Sequence, residues 1–480
     1  MSIPLTPIDF RANSRHVSPQ LVAATQKNTR TAVVKRAQAV RALGEENWET
    51  LRQAGHALRL HAITHLDEYL PLLERRVTEA GGIVHWARDA AEARQIVLDL
   101  AHARNVKRVV KSKSMLSEEI GLNVALQAAG IAAVETDLGE YIVQLAGTGP
   151  SHVTSPALHL TKEDIAKLFQ DKLGVEAPPD PHVLTEIARV RLRDEFLKAD
   201  MGISGGNFLV AETGTLVLVT NEGNGRMCTS LPPIHVAIVG IEKVVPDWES
   251  LAVLLKLLAR STTGQAISAY TTFITGVSEG GPREFHLVFV DNGRTRVLAD
   301  PYARETLLCI RCGACLNVCP VYNQVGGFTY GTVYQGPIGS IISPQLLGTQ
   351  LTRDLPFASS LCGACAEICP VKIPIPAILL HLRHRVIEGD SIERPAVPAT
   401  LGLGARLAAF ALGTSWVYRF GAAATRVLQK PFQRSLGSRD SQRDGWLYSL
   451  PAPMNRWTMV RPLPAFSGDF RNWWKRRKRN

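Results

Sequence analysis

Cysteine is scarce in this chain, with eight among 480 residues. That is too few for a small secreted scaffold held together by disulfides. Long apolar runs are also missing. The longest uncharged stretch of the C-terminal region, Leu407–Tyr418, has 12 residues between Arg406 and Arg419; a membrane-spanning helix needs roughly 20. The opening residues, MSIPLTPIDFRANSRHV, lack the apolar segment of a secretory signal. No Walker A or G-x-S-x-G motif occurs, and no G-x-G-x-x-G follows the early strands, so nucleotide-loop and hydrolase-elbow chemistry have no support. Acidic residues nearly vanish after position 400. Residues 401–480 hold 15 Lys and Arg against only Asp440, Asp444 and Asp469, whereas the first 400 residues are close to neutral. Hydrophobic residues make up 45% and charged residues 20%, which excludes wholesale disorder. A cytoplasmic protein is expected.

What is present divides into four regions. Residues 1–79 read as a helical lead-in, with apolar positions at helical spacing through Ala57, Leu60, Ile63, Leu66, Leu70 and Leu73; they are expected to pack on the domain that follows. Residues 80–298 alternate short β-branched runs with helical segments, which predicts βαβ units and a mostly parallel sheet. Expected strands include 82–87, 107–111, 131–135, 236–239 and 285–290. Expected helices include 89–103, 114–129, 162–173 and 247–259. Asn207–Val210 and Thr215–Thr220 should form a hairpin, and Thr161 with Asp164 a capping box. Residues 299–395 surround the cysteines, and 396–480 form a basic segment holding five of the eight Trp.

Seven of the eight cysteines lie between Cys309 and Cys369. Cys309, Cys312, Cys315 and Cys319, followed by Pro320, match C-x2-C-x2-C-x3-C-P, the bacterial ferredoxin run. Three thiolates on a tight loop can wrap one cubane, while the fourth points toward a second cluster. Cys362, Cys365 and Cys369, followed by Pro370, repeat the register without the first cysteine, whose place is taken by Ser359. Exchanging final cysteines between runs assigns Cys309, Cys312, Cys315 and Cys369 to cluster 1, a [4Fe–4S], and Cys319, Cys362 and Cys365 to cluster 2. Cluster 2 then lacks one thiolate. Ser359 or another oxygen completes a [4Fe–4S], or the iron takes solvent or a partner group, or the cluster is [3Fe–4S]; the spacing leaves all three open. Zinc is a poor rival, because no His has ligand spacing and structural zinc takes four ligands rather than seven. Such clusters exchange single electrons, so this unit is a wire and needs no catalytic residue. From Cys312 to Thr352 there is no charged residue and no His. That run is either an uncharged collar around the metal or a Gly-rich surface loop. With the helix expected over 377–388, it resembles the helical ferredoxin module of succinate dehydrogenase iron–sulfur subunits.

In the α/β region, Lys111, Glu222 and Arg226 are candidates for an anion site, with Lys113 nearby, because ligands favour the carboxyl ends of parallel strands. His152 and His159 read as structural, and Cys228 as a small buried hydrophobe.

The stretches Lys111-Ser-Lys-Ser-Met, Glu135-Thr-Asp-Leu-Gly-Glu-Tyr-Ile, Ser204-Gly-Gly-Asn-Phe and Glu222-Gly-Asn-Gly-Arg resemble the LUD (lactate utilisation) domain. Followed by two cysteine runs and a basic tail, they are similar to the LutB-type family of iron–sulfur proteins. The resemblance implies an α/β fold like that of the NagB/RpiA/CoA-transferase group, followed by a mostly helical two-cluster ferredoxin-type domain. It implies electron transfer during oxidation of L-lactate to pyruvate, alongside a cysteine-rich partner and a second LUD protein. Two rival readings are a self-sufficient lactate-oxidising enzyme using the LUD crevice, and a redox-sensing nucleic-acid binder using the tail. The basic, Trp-rich end also suits an anionic membrane surface near a quinone-linked acceptor.

Overall fold

The computed structural model describes residues 6–397, 399–434, 445–451, 455, 462–465, 474 and 477. The chain forms two compact units, residues 1–396 and 397–480.

Six parallel strands make the central sheet of the first unit. They are β1 (Ile83–Ala87), β2 (Arg108–Lys111), β3 (Ala132–Glu135), β4 (Met201–Ser204), β7 (Ile234–Gly240) and β10 (Glu284–Val290), in the order β1-β10-β7-β4-β2-β3. Burial on both faces explains the near-continuous apolar runs of β7 and β10. The helices between strands start where the sequence supplies acceptors. Asp89 caps Ala90–Ala103 and Asp247 caps Trp248–Thr262. Thr161 and Asp164 close a reciprocal capping box on Lys162–Leu173. One expected helix is split: Met115–Glu119 and Leu122–Ala128 are separated at Gly121, whose φ of 67° breaks the helical path.

A second, four-stranded sheet lies within the same unit. β5 (Phe208–Val210) and β6 (Thr215–Thr220) form the expected antiparallel hairpin, flanked by β8 (Val244–Val245) and β9 (Tyr270–Ile274). Gly214 turns the hairpin at φ 71°, and a Cβ there would lie 2.7 Å from the Arg76 carbonyl carbon, so only glycine fits.

The N-terminal helices Pro19–Leu43 and Glu45–Thr64 pack on the α/β body, as expected, and on the cysteine region besides. Arg52 donates to the carbonyls of Cys369 (3.0 Å) and Glu367 (2.7 Å), and Arg36 to that of Ile368 (3.0 Å). The fully buried Arg59 donates to the carbonyls of Glu242, Val244, Leu307 and Leu308, pinning the α/β body to the start of the cysteine unit.

The uncharged run is interior, not a surface loop. Every residue of Gly336–Gln345 is buried, in a helix that packs on Ala314–Val318 and on Ile375–Glu388.

The second unit, by itself, carries helices Ala399–Gly413 and Ser415–Leu428 and a two-stranded ribbon pairing Gln433 with Leu447. Among the described residues, no helix is long and apolar enough to cross a membrane. Of residues 471–480, all but Trp474 and Arg477 lie outside the described residues.

Candidate metal centres and an adjoining cavity

The two cysteine runs fold into the same loop twice. In the first, Arg311 (φ 61°) and Gly313 (φ 74°) are left-handed, and the helix Ala314–Val318 leads to Cys319. In the second, Leu361 (φ 56°) and Gly363 (φ 86°) are left-handed, and Ala364–Ile368 leads to Cys369. Left-handed backbone at Arg and Leu is uncommon, so its recurrence marks a backbone wrapped around something. The Arg311 amide donates to Cys309 Sγ at 3.4 Å, and the Leu361 amide donates to Ser359 Oγ at 3.1 Å. Ser359 therefore occupies the Cys309 position of the second loop, with its side-chain oxygen where the first loop has sulfur.

Packing of Ala314–Val318 against Ala364–Ile368 brings the runs together. Cys309, Cys312, Cys315 and Cys369 line one cavity, walled by Ile310, Ile338, Val371, Ile373 and Ile375. Burial, then the neighbouring thiols, pushes Cys312 and Cys315 upward; burial pushes Cys369 up to about 11. Cys319 and Cys365 form another set with Cys362. Burial raises both, Cys365 to about 11, and each feels Cys362. Unaided, these thiols would stay protonated at neutral pH. A positively charged inorganic centre reverses that, since coordination deprotonates a thiol. The donor set fits iron–sulfur clusters: it is all sulfur and soft, and the four thiols line a cavity rather than meet at a point, whereas a lone zinc draws thiolates to about 2.3 Å. Backbone amides supply hydrogen bonds to sulfur, from Tyr322 to Cys319 (3.5 Å) and from Ile373 to Cys369 (3.4 Å).

The second constellation lies at the carboxyl ends of the parallel strands, as expected for a ligand crevice. A cavity of about 380 Å³ is lined there by Lys113, Asp137, Asn207, Glu222, Lys243 and Arg311, among others. Of the three expected anion-site residues, only Glu222 lines it. Lys111 is fully buried at the end of β2, bonded to Glu135 (2.5 Å) and Asn123 (2.7 Å). Its carboxylate neighbours hold its ammonium above the ordinary lysine value despite burial. Arg226 stacks on Tyr270 at 5.5 Å. Glu222 stands on the exposed rim, accepting from the Leu138 amide at 3.3 Å. Partial enclosure and Asp137 push its carboxyl upward, and water at the rim screens part of that rise.

Arg311 lines both cavities, as does Val153, so these two residues form the partition between the strand-end cavity and the four thiols. Arg311 lies over the Tyr334 ring at 4.6 Å and 3.5 Å from Glu242. Glu242 also accepts from Arg294 (2.6 Å), which grips Glu119 through two bonds of 2.9 Å. No spacing rule signals this buried chain of alternating charge, because its members come from four distant segments.

His152 and His159 are structural. His152 is buried, accepts from the Thr154 amide, lies 3.3 Å from Asn317, and burial depresses it to about 3. His159 pairs with Ser151 Oγ at 2.8 Å. Cys228 is buried beside Thr136, and burial raises it to about 12.

Comparison with known proteins agrees with this architecture. Residues 70–298 match the LUD domain, and residues 305–373 match the 4Fe-4S dicluster domain. Lactate utilization protein B of Shouchella clausii is 42% identical over 466 residues, covering 96% of this chain and 94% of that protein. The protein of the same name from Macrococcus caseolyticus is 44% identical over 439 residues, covering 90% and 89%. That from Bacillus licheniformis is 42% identical, covering 95% and 93%. A solved DUF162 family protein from Deinococcus radiodurans is similar at 16% identity and a TM-score of 0.27 over 47% of this chain and 98% of that chain, too remote to carry an argument.

Proposed function

The chain belongs to the lactate utilization protein B family, and from that premise we propose that it is the iron–sulfur electron-transfer component of a system oxidising L-lactate to pyruvate. Cys309, Cys312, Cys315 and Cys369 hold cluster 1. Cys319, Cys362 and Cys365 hold cluster 2, with Ser359 Oγ as the fourth ligand of a [4Fe–4S]. When bound, such clusters exchange electrons one at a time.

The observation carrying this reading is the doubled loop, which gathers seven thiols into a set of four and a set of three. The Ser359 assignment rests on its oxygen accepting the amide bond that Cys309 sulfur accepts in the other loop. The protein's own contribution is solvation control. Arg36 and Arg52 place positive charge near Cys369, and Arg36 also near Cys312. Amides aimed at sulfur stabilise the thiolates. The interior, uncharged helix Gly336–Leu347 keeps water and competing charge away, and these are the features that tune a cluster's potential. Cys362 is the exposed ligand, and its face is where a cysteine-rich partner or a second LUD protein would dock. The basic C-terminal residues would add contact with anionic lipid, which is wrong if deleting residues 471–480 leaves vesicle binding unchanged.

Anaerobic purification with iron and sulfide analysis and EPR tests the core of the reading. About eight irons per chain are expected for two cubanes. A colourless chain, or one carrying zinc, sinks it.

A further inference from the structure

The strand-end cavity has buried donors with no acceptor. Lys113 Nζ, Thr262 Oγ1 and Arg311 Nη1 are all shielded from solvent and lack a hydrogen-bond partner in the protein, and all three residues line this cavity. Leaving such groups unpaired is costly, more so when they are charged. Three around one cavity is a pattern that a ligand with acceptor oxygens would relieve. The neighbouring carboxylates do not do so. Glu242 is committed to Arg294 at 2.6 Å and is 3.5 Å from the other arm of Arg311. Asp137 accepts from the Glu140 amide, and Glu222 from the Leu138 amide.

The same carboxylates limit the ligand's charge. Asp137, Glu222 and Glu242 offset three of the four cations that line the cavity, Lys113, Lys243, Arg294 and Arg311, and the single positive charge left over suits a monoanion better than the dianion of phosphate. The carboxylate oxygens, with Asn207 and Asn224, could accept from a hydroxyl on the ligand. The volume, about 380 Å³, is at the small end for ligand pockets and too tight for a dinucleotide. The location matters most. Arg311 lies between Cys309 and Cys312 in sequence and lines both cavities: its amide donates to Cys309 Sγ, and its guanidinium lies by Glu242 and Tyr334, so one residue borders the ligand space and the thiol space.

We propose that this cavity binds a small hydroxy- or oxo-carboxylate, with its carboxylate taken by Lys113, Thr262 and Arg311, directly across the Arg311–Val153 partition from the four-thiol site. This rests on the electron-transfer reading above and deepens it. It places an organic acid beside cluster 1 while leaving the exposed Cys362 side for protein partners. Arg311 is a positioning residue for both spaces, because a ligand that draws its free arm changes the field at Cys309.

The test uses the full chain with its clusters loaded anaerobically. L-lactate, pyruvate and inorganic phosphate are titrated by calorimetry, and the reduced clusters are followed by EPR. Saturable binding of lactate or pyruvate is expected, with a change in one cluster's line shape and with phosphate at least about tenfold weaker, a difference of roughly 1.4 kcal/mol. Lys113→Met should weaken carboxylate binding by about tenfold or more at unchanged iron content; Thr262→Val should weaken it by a smaller factor and serves if the first variant does not fold. An iron-loaded chain that binds neither carboxylate, that prefers phosphate, or whose variants bind as well as the parent overturns the proposal and leaves the electron-transfer reading standing. A chain that takes up no iron sinks that reading instead.

Discussion

Cys312 and Cys362 occupy the same place in two loops of the same backbone, yet Cys312 is only 8% exposed and Cys362 is open to solvent. The loops share left-handed residues, a short helix and an amide aimed at the first ligand position. They differ in what surrounds them. The four-thiol cavity is walled by Ile338 and Ile373 and approached by the arginines of the N-terminal helices. The three-thiol set reaches the surface at Cys362, and Arg383 donates to the Ser359 carbonyl at 3.0 Å. Cys319 and Cys365 are as buried as Cys312, so the second set is open through Cys362. The closed site adjoins a ligand-sized cavity; the open one suits a protein partner. Loop geometry places ligands, and burial assigns the sites different neighbours.

The comparison can be broken most directly at the ligands. Cys315→Ala should remove the closed-site iron, lowering the content from about eight to about four per chain, and should also lower the melting temperature because a buried centre is lost. Cys362→Ala should lower the iron content without comparable loss of stability. If both variants lose all iron, the sites are not independent and the contrast fails.

A smaller effect is expected at the pin joining the closed site to the α/β body. Arg59→Leu strips four buried carbonyls of their donor, a cost of roughly 2–4 kcal/mol. Thermal unfolding should shift down by several degrees while the cluster spectrum of the folded fraction stays the same. An unshifted melt would mean that the junction carries little stability.

The fourth ligand of the open site is subtler. Ser359→Cys should keep full iron and alter only the EPR signature. Ser359→Ala should lose about one iron and show a three-iron signal on oxidation. Parent-like iron and spectra in Ser359→Ala would remove the oxygen ligand from the account. The smallest effect belongs to Cys228→Ala, which sits beside Thr136 in the α/β body and is raised by burial to about 12. Iron content should not change, and stability should fall by about 1 kcal/mol.

The thiol spacing made both loops legible, because tight backbone turns fix sulfur positions over a few residues. Five strands of the parallel sheet were legible for a similar local reason, their short β-branched runs; β4 was not, because Met201-Gly-Ile-Ser204 holds a single β-branched residue. Lys111 shows where such reading stops. It ends a strand, as expected, but the neighbouring strand β3 brings Glu135 and the helix Leu122–Ala128 brings Asn123 to it, and the unpartnered ammonium belongs to Lys113 two residues on. The N-terminal helices were readable as helices, but nothing in their period says that Arg52 and Arg59 grip carbonyls some 250 to 320 positions away.

The amino-acid order alone determined which atoms could bind iron and in what register, since ligand spacing along a turn is a local property. It also determined the alternation of strand and helix. Only the tertiary structure decided that Lys111 is paired while Lys113 is not, and that Arg311 stands between a ligand cavity and four thiols. Those are meetings of distant segments, set by the packing of whole layers, and no window of neighbouring residues contains the partners that decide them.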